Sequence, residues 1–309
     1  MQGIAFSPDS KMLASLAGDG RNMAYEVRTW NLQTGEVLHT FDIGWGWDIA
    51  YSPDGKTLAT PRDYCVTVAT PSPGAPGGCR QETGILLVDV FSGQTLRVFT
   101  TAAPGRLEFG SEMSVAFSPD GKTIASVNTN YGARLWDVAT GQLIRTFKPD
   151  AGGRPGRVGF SPDGRILALV WYSTKAGTVV LFDLISGQVL RSFGEPGNEF
   201  ASFAFSPAGK TLALGGKDAK LFDLSTGQYL GTFAGDAQGV VDMSFSPDGK
   251  TLASAGDTVK LGDLGTGRLI NTLTGHFKVA QRVSFSPDGK ILASVDTGRI
   301  FLWDMTTLR

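Results

Sequence analysis

Three landmarks that each recur along the chain predict an all-β fold: a radial array of seven four-stranded antiparallel sheets, the last of them open to being incomplete. The first landmark is a tetrad, (Phe/Tyr)-Ser-Pro-(Asp/Ala), at Phe6, Tyr51, Phe117, Phe160, Phe205, Phe245 and Phe285, with spacings of 45, 66, 43, 45, 40 and 40 residues. The second is a pair ending in Asp or Asn: Trp30-Asn31, Val88-Asp89, Trp136-Asp137, Phe182-Asp183, Phe222-Asp223, Gly262-Asp263 and Trp303-Asp304. The third follows at once as Thr34-Gly35, Ser92-Gly93, Thr140-Gly141, Ser186-Gly187, Thr226-Gly227 and Thr266-Gly267, with Thr306-Thr307 in the seventh copy.

Each repeat reads as strands a to d in order. Strand a is a short β-prone run into the tetrad, such as Val115-Ala116-Phe117. The a–b turn has a mechanism: in Ser118-Pro119-Asp120-Gly121, Pro presets φ for a type I turn and Gly takes the left-handed position after it. Ser10 stands where that glycine belongs and is expected to be strained by about 1 kcal/mol; Ala208 replaces the Asp. Strand b follows (Leu58-Ala59-Thr60), then strand c (Ala133-Arg134-Leu135-Trp136), the Thr-Gly turn, and strand d (Leu143-Ile144-Arg145-Thr146-Phe147).

Composition agrees. Gly supplies 41 of 309 residues, about twice the usual share of ~7%, alongside 15 Pro and 10% aromatics. With 28 Lys+Arg against 29 Asp+Glu the net charge is -1, so counterion release gives no drive toward nucleic acid. No apolar run approaches the ~20 residues that span a bilayer, and Met1 to Phe6 lacks a charged, then apolar, leader pattern. Two histidines in the whole chain leave little for an imidazole-based site.

Taken together, Phe-Ser-Pro-Asp-Gly-Lys-x-Leu-Ala-Ser, Leu-Trp-Asp and Thr-Gly-x-x-Leu-x-x-Phe make the chain similar to the WD-repeat β-propeller family over essentially its whole length. The resemblance implies one seven-bladed β-propeller, with repeats at about 1–41, 42–99, 100–147, 148–193, 194–233, 234–273 and 274–309. It also implies a stabilising network of His, Ser/Thr, Asp and Trp. Only the last repeat supplies it in full, as His276, Ser294, Asp296 and Trp303, so His276 is expected to be structural rather than a ligand or base. Elsewhere packing has to hold the blades, and Gly262, in place of an indole, is expected to leave a void or be filled by a neighbour.

Antiparallel meanders put the a–b and c–d turns at one end and the b–c and d–a connections at the other. The first set is nearly constant; the second holds all the length variation. Loops on a rigid scaffold are where binding residues gather. Aromatic and Arg side chains, the types enriched at interface hot spots, fall in these loops. They make Trp45, Trp47, Arg62, Tyr64, Arg106, Tyr131, Arg157, Trp171, Tyr172, Phe200, Phe277 and Arg282 the candidate partner-binding residues.

The insertion at 61–82 of the second repeat holds both cysteines, around a Pro/Gly-rich stretch that cannot bury a core of its own. A Cys65–Cys79 disulfide would close this loop, adding about 3 kcal/mol in the chain-entropy picture, and leans the location toward an extracytoplasmic compartment. A two-thiol metal site is the lesser alternative, with no third ligand nearby.

The function expected is a non-catalytic protein-interaction scaffold or docking module, with a protein or peptide partner. No cofactor, metal, nucleic acid or membrane insertion is expected. An enzyme with a site at the propeller mouth is the less favoured reading: His39 lies in an outer strand, and paired carboxylates such as Glu108 and Glu112 are all that remain. A further alternative is a building block or fragment of a larger protein. Strand a begins almost at Met1 and the seventh repeat stops soon after Asp304, so strand c of that repeat, Arg299 to Asp304, is expected to recruit an extra strand from flanking sequence, a partner or a neighbouring copy.

Overall fold

The computed structural model describes residues 3–18, 25–44, 48–68, 78–100, 112–149, 153–172, 177–194, 199–233, 235, 237 and 239–308; for 44, 63–68, 78–83 and 112 the backbone alone is described. Blade 1 is β1 (Gly3–Phe6), β2 (Met12–Gly18), β3 (Tyr25–Asn31) and β4 (Val37–Gly44). Blade 2 is β5 (Ala50–Tyr51), β6 (Thr57–Val68), β7 (Gly78–Asp89) and β8 (Thr95–Phe99). Blade 3 is β9 (Glu112–Phe117), β10 (Thr123–Asn128), β11 (Gly132–Asp137) and β12 (Leu143–Phe147). Blade 4 is β13 (Arg154–Phe160), β14 (Ile166–Tyr172), β15 (Gly177–Asp183) and β16 (Val189–Phe193). Blade 5 is β17 (Ser202–Phe205), β18 (Thr211–Gly215), β19 (Ala219–Asp223) and β20 (Tyr229–Phe233). Blade 6 is β21 (Asp242–Phe245), β22 (Thr251–Ala255), β23 (Val259–Asp263) and β24 (Leu269–Leu273). Blade 7 has three strands among the described residues, β25 (Arg282–Phe285), β26 (Ile291–Val295) and β27 (Ile300–Asp304).

Every pairing is antiparallel between neighbours in sequence, so the seven sheets are the predicted meanders and the protein is a seven-bladed β-propeller. The a–b turns carry their glycine in the left-handed region, from Gly209 at φ 65° to Gly55 and Gly289 at 71°. Ser10, at φ 59°, is the one non-glycine with positive φ among the described residues. In these turns the Ser hydroxyl donates to the Asp carboxylate, as from Ser118 to Asp120 at 2.6 Å, and accepts from the first amide of strand b, Thr123 N at 3.0 Å.

Burial follows the blades. Apolar residues of strands b, c and d interdigitate with those of strands a, b and c of the next blade, as where Phe147 and Phe182 meet edge-on at 5.3 Å. At Gly262 both expectations hold in part: a ring from the blade before closes on it, and a cavity of about 230 Å³ lined by Gly262, Phe233, Leu252 and Ser254 remains. A Cβ there would stand 2.6 Å from the Phe233 ring, which occupies the place of the missing indole.

The network at the last repeat is formed. The Trp303 indole N–H donates to Ser294 Oγ at 2.8 Å, His276 Nε2 lies 2.8 Å from the same oxygen, and His276 Nδ1 lies 3.4 Å from Asp296. The His276 side chain is 1% exposed, which leaves it no access to a ligand. Half of this network also survives where the histidine is absent: Trp30 donates to Ser15 at 2.8 Å and Trp136 to Ser126 at 3.0 Å. Packing is therefore not alone in those blades.

The insertion corrects an expectation. Rather than a loop needing a clip, 57–68 and 78–89 pair continuously as one long hairpin, to Val68 opposite Gly78. The register sets Cys65 opposite Gln81 and Cys79 opposite Thr67. The two cysteines are offset by two positions along the ladder, so this register gives the expected Cys65–Cys79 disulfide no support. Their side chains lie outside the described residues.

Candidate functional site

Strand a lines the inner wall of each blade, and one column of the repeat faces the mouth of the ring. Three residues before each tetrad aromatic stand Gly3, Asp48, Ser114, Arg157, Ser202, Asp242 and Arg282. Period-two alternation puts this residue and the aromatic on opposite faces of the strand. The column carries two acids, two arginines and two hydroxyls, whereas the next position on the same face of the strand is Ala, Gly or Ser.

These groups bond across the ring. Arg157 of blade 4 donates to the Asp242 carboxylate of blade 6, which also accepts the Val283 amide of blade 7 at 3.1 Å. Asp48 of blade 2 accepts from Ser114 Oγ of blade 3 at 2.7 Å and from Val115 N at 3.3 Å, and Ser114 Oγ accepts the Val158 amide of blade 4 at 3.3 Å. The Arg157 side chain is 27% exposed and that of Asp242 4%, so the pair sits at the water line. Burial works against the Arg157 charge, but the Asp242 and Asp48 carboxylates outweigh it. Arg282 is held below its ordinary value by burial and then by the Arg157 charge. Its Nη1 donates to Gln281 O at 3.1 Å, while its buried Nε has no hydrogen-bond partner. Burial likewise raises the Tyr172 phenol, against the pull of Arg157, Arg154 and Arg282.

Around this mouth the structure sorts the candidates. Tyr131, 39% exposed, lies at the β10–β11 turn with the Arg134 guanidinium 4.3 Å from its ring. Phe277, 78% exposed, lies between β24 and β25 with Arg299 at 4.4 Å. Each exposed ring is thus backed by a cation. Tyr172 is half-buried, with Arg154 at 5.5 Å. Arg62 is half-buried in β6. Trp171 and Phe200 are corrections: at 2% and 0% exposed they pack into the clusters between blades and present nothing to a partner. Trp45, Trp47 and Arg106, and the side chain of Tyr64, lie outside the described residues. Asp48, Asp242 and Ser114 were missed by looking for aromatics and arginine. The signal for them was their shared position before each tetrad.

The described residues hold no group of three or more His, Cys, Asp or Glu side chains placed for a metal ion. Exposed apolar side chains also occur at the constant end, among them Phe91 at 63% and Ile185 at 82% in the c–d turns.

Comparison with known proteins gives a family match described as "WD domain, G-beta repeat" at residues 110–137, 227–259 and 267–304. The chain is 26% identical over 212 residues to transcription initiation factor TFIID subunit 5 of Caenorhabditis elegans, covering 60% of this chain and 31% of that protein. It is 28% identical over 216 residues to periodic tryptophan protein 2 of Arabidopsis thaliana, covering 60% and 22%. To a guanine nucleotide-binding protein subunit beta of Arabidopsis thaliana it is 27% identical over 140 residues, covering 41% and 37%. The chain spans less than two fifths of the length of each of these relatives.

Proposed function

The chain is a WD-repeat β-propeller, and we propose that it works as a non-catalytic protein-interaction scaffold that binds a protein or peptide through the b–c and d–a loop face. The observation that carries this reading is the one-sidedness of the repeat. The a–b and c–d ends are held by the same serine, threonine and aspartate bonds in copy after copy. Sequence diversity falls on the opposite face. There the exposed Tyr131 and Phe277 stand around a mouth that holds Arg157 and Arg282. Aromatic and arginine side chains of this kind supply most of the energy in protein interfaces.

The test is comparative. Affinity capture from the source cells with the wild-type chain is set against Tyr131→Ala/Phe277→Ala and against Phe91→Ala/Ile185→Ala at the constant end. Loss of a captured protein with the first pair alone supports the reading. Loss with the second pair alone places the interface at the other end and overturns it.

A second reading, strand addition at blade 7, is favoured by one observation. The outward edge of β27 carries Leu302 at 49% exposed, and beside it a cavity of about 440 Å³ is lined by Leu13, Trp30, Leu32, Ile300 and Phe301. A fourth strand from flanking sequence, a partner or a neighbouring copy would fill it. Slow hydrogen exchange at the outward amides among Ile300, Phe301 and Leu302 is the expected result. Fast exchange in a monodisperse monomer overturns it.

A further inference from the structure

At the constant end of the propeller the third residue of strand d varies: it is His39 in blade 1, Asn271 in blade 6 and an arginine in three of the four blades between. In blades 2, 3 and 4 the third residue of strand d is an arginine: Arg97, Arg145 and Arg191, registered opposite Leu87, Leu135 and Leu181 of strand c. Each guanidinium crosses to the next blade and caps its c–d turn. Arg97 donates to the Thr140 and Ala139 carbonyls at 2.8 and 2.9 Å, Arg145 to Ile185 O at 3.3 Å, and Arg191 to Thr226 O at 2.7 Å. The arginines lie against the left-handed glycines of those turns, Gly141, Gly187 and Gly227.

Blade 5 breaks the series. The residue in that register, opposite Leu221, is Gly231. A Cβ built at Gly231 meets nothing within 4 Å, and neither does one at Gly267, the glycine of the turn that an arginine would cap. Between them lies a cavity of about 520 Å³, lined among others by Leu221, Leu230, Phe233, Leu264, Asp248 and Lys210. Its apolar walls suit an aliphatic stem. The carbonyls of Gly265 and Thr266 hold the places that Ala139 and Thr140 hold under Arg97. Lys210 does not exclude a second cation, because Lys56 and Asp120 hold the corresponding turn positions around the groove that Arg97 fills.

We propose that the groove between blades 5 and 6 is a receptor for an arginine side chain of a partner protein. The partner's guanidinium lies over Gly267 and donates to the carbonyls of Gly265 and Thr266, as Arg97 and Arg191 do to the corresponding pairs and Arg145 does to the first of its pair. Arginine fits where lysine does not, since its planar fork reaches two adjacent carbonyls at once. This site is at the end of the ring opposite the loop face, and it stands or falls apart from the reading proposed for that face.

The probe is N-acetyl-arginine amide, titrated at millimolar concentration into the intact isotope-labelled chain and read at the Gly265, Thr266 and Gly267 amide resonances. Saturable shifts there, smaller for N-acetyl-lysine amide, are expected. Gly231→Arg fills the groove from within: it is expected to abolish the shifts and to raise Tm by about 2 °C or more. Gly231→Ser, which stiffens the strand without reaching the turn, is expected to leave the shifts in place. No saturable shift at this turn, equal shifts for lysine and arginine, or shifts that persist in Gly231→Arg would each overturn the proposal.

Discussion

The Ser10 hydroxyl accepts a hydrogen bond from the Asp288 amide at 3.0 Å, tying the a–b turn of the first blade to that of the seventh. Around this bond Phe6, Leu13 and Ala293 close the ring, with Ile4, Trp30, Ile291 and Ile300 packed against them. The seam between the ends of the array is thus a packed interface with a polar pin on its rim. The pin sits on Ser10, the one non-glycine among the described residues with a left-handed backbone, at φ 59°.

That coincidence separates two substitutions. Ser10→Gly relieves a left-handed strain of about 1 kcal/mol but loses a hydrogen bond of about the same value, so stability is expected to stay within about 0.5 kcal/mol of wild type. Ser10→Ala keeps the strain and loses the bond, and is expected to cost about 1 kcal/mol. Urea unfolding of the two variants checks this. A Ser10→Ala variant as stable as wild type would show that the pin does not contribute, and equal stabilities of the two variants would show that the strain does not.

The mouth gives a sharper contrast. Asp242 serves Arg157 and the Val283 amide together, whereas Asp48 meets a hydroxyl and an amide. Removing Asp242 strands a largely desolvated guanidinium, and Asp242→Ala is expected to cost about 3 kcal/mol, at the low end for a broken buried pair because Arg157 keeps some water. Asp48→Ala strips hydrogen bonds from neutral donors and takes away a second counter-charge that Arg157 does not bond directly, and is expected to cost about 1–2 kcal/mol. Denaturant midpoints decide; a larger loss at Asp48 would mean the Arg157 pair is dispensable.

Much of this architecture was legible in the chain because it is local. Ser-Pro-Asp-Gly carries its own donors, acceptors and φ requirement, so the turns and the blade count could be read without the fold, whereas the His276 network was legible only through the family resemblance. The mouth was harder. Asp48, Ser114, Arg157, Asp242 and Arg282 meet only because the ring brings one column of seven repeats together, and no single repeat shows more than one of them. Trp171 and Phe200 misled because they abut variable loops in sequence yet point between blades. The hairpin at 57–89 was hidden because its Pro/Gly-rich centre masks the strands on either side.

The same hairpin sets an expectation for the two thiols. Diagonal partners in an antiparallel ladder have Cα atoms about 7–8 Å apart, beyond the range of about 4.4–6.8 Å that a disulfide spans. Peptide mapping of non-reduced protein from its native compartment is expected to recover Cys65 and Cys79 unlinked. Recovery of a Cys65–Cys79 peptide would require the ladder to shift locally, and would place the protein in an oxidising compartment.

Acid should loosen both rows of turns at the constant end. In the a–b turns, the Ser hydroxyl first and the amide after the glycine hold Asp54 and Asp120 below the usual carboxylate range. In the c–d turns, the Ser or Thr amide and hydroxyl do the same for Asp89, Asp137, Asp183 and Asp263, and bring Asp223 to about 2. A carboxylate whose pKa is lower in the folded chain than its unfolded value of about 3.9 stabilises above that value and loses its contribution as pH falls through the folded pKa. Stability is therefore expected to hold above about pH 5 and to fall steadily between about pH 4 and 2. The first blade supplies its own control, since Asn31 accepts the Gln33 and Thr34 amides at 2.9 and 3.1 Å without any charge. Asp223→Asn is expected to keep the turn, lower the plateau slightly and flatten the acid slope. Urea midpoints across this range test the sign: stability that stays flat or rises toward pH 2 would show that these carboxylates are no better held in the folded chain than in the unfolded one.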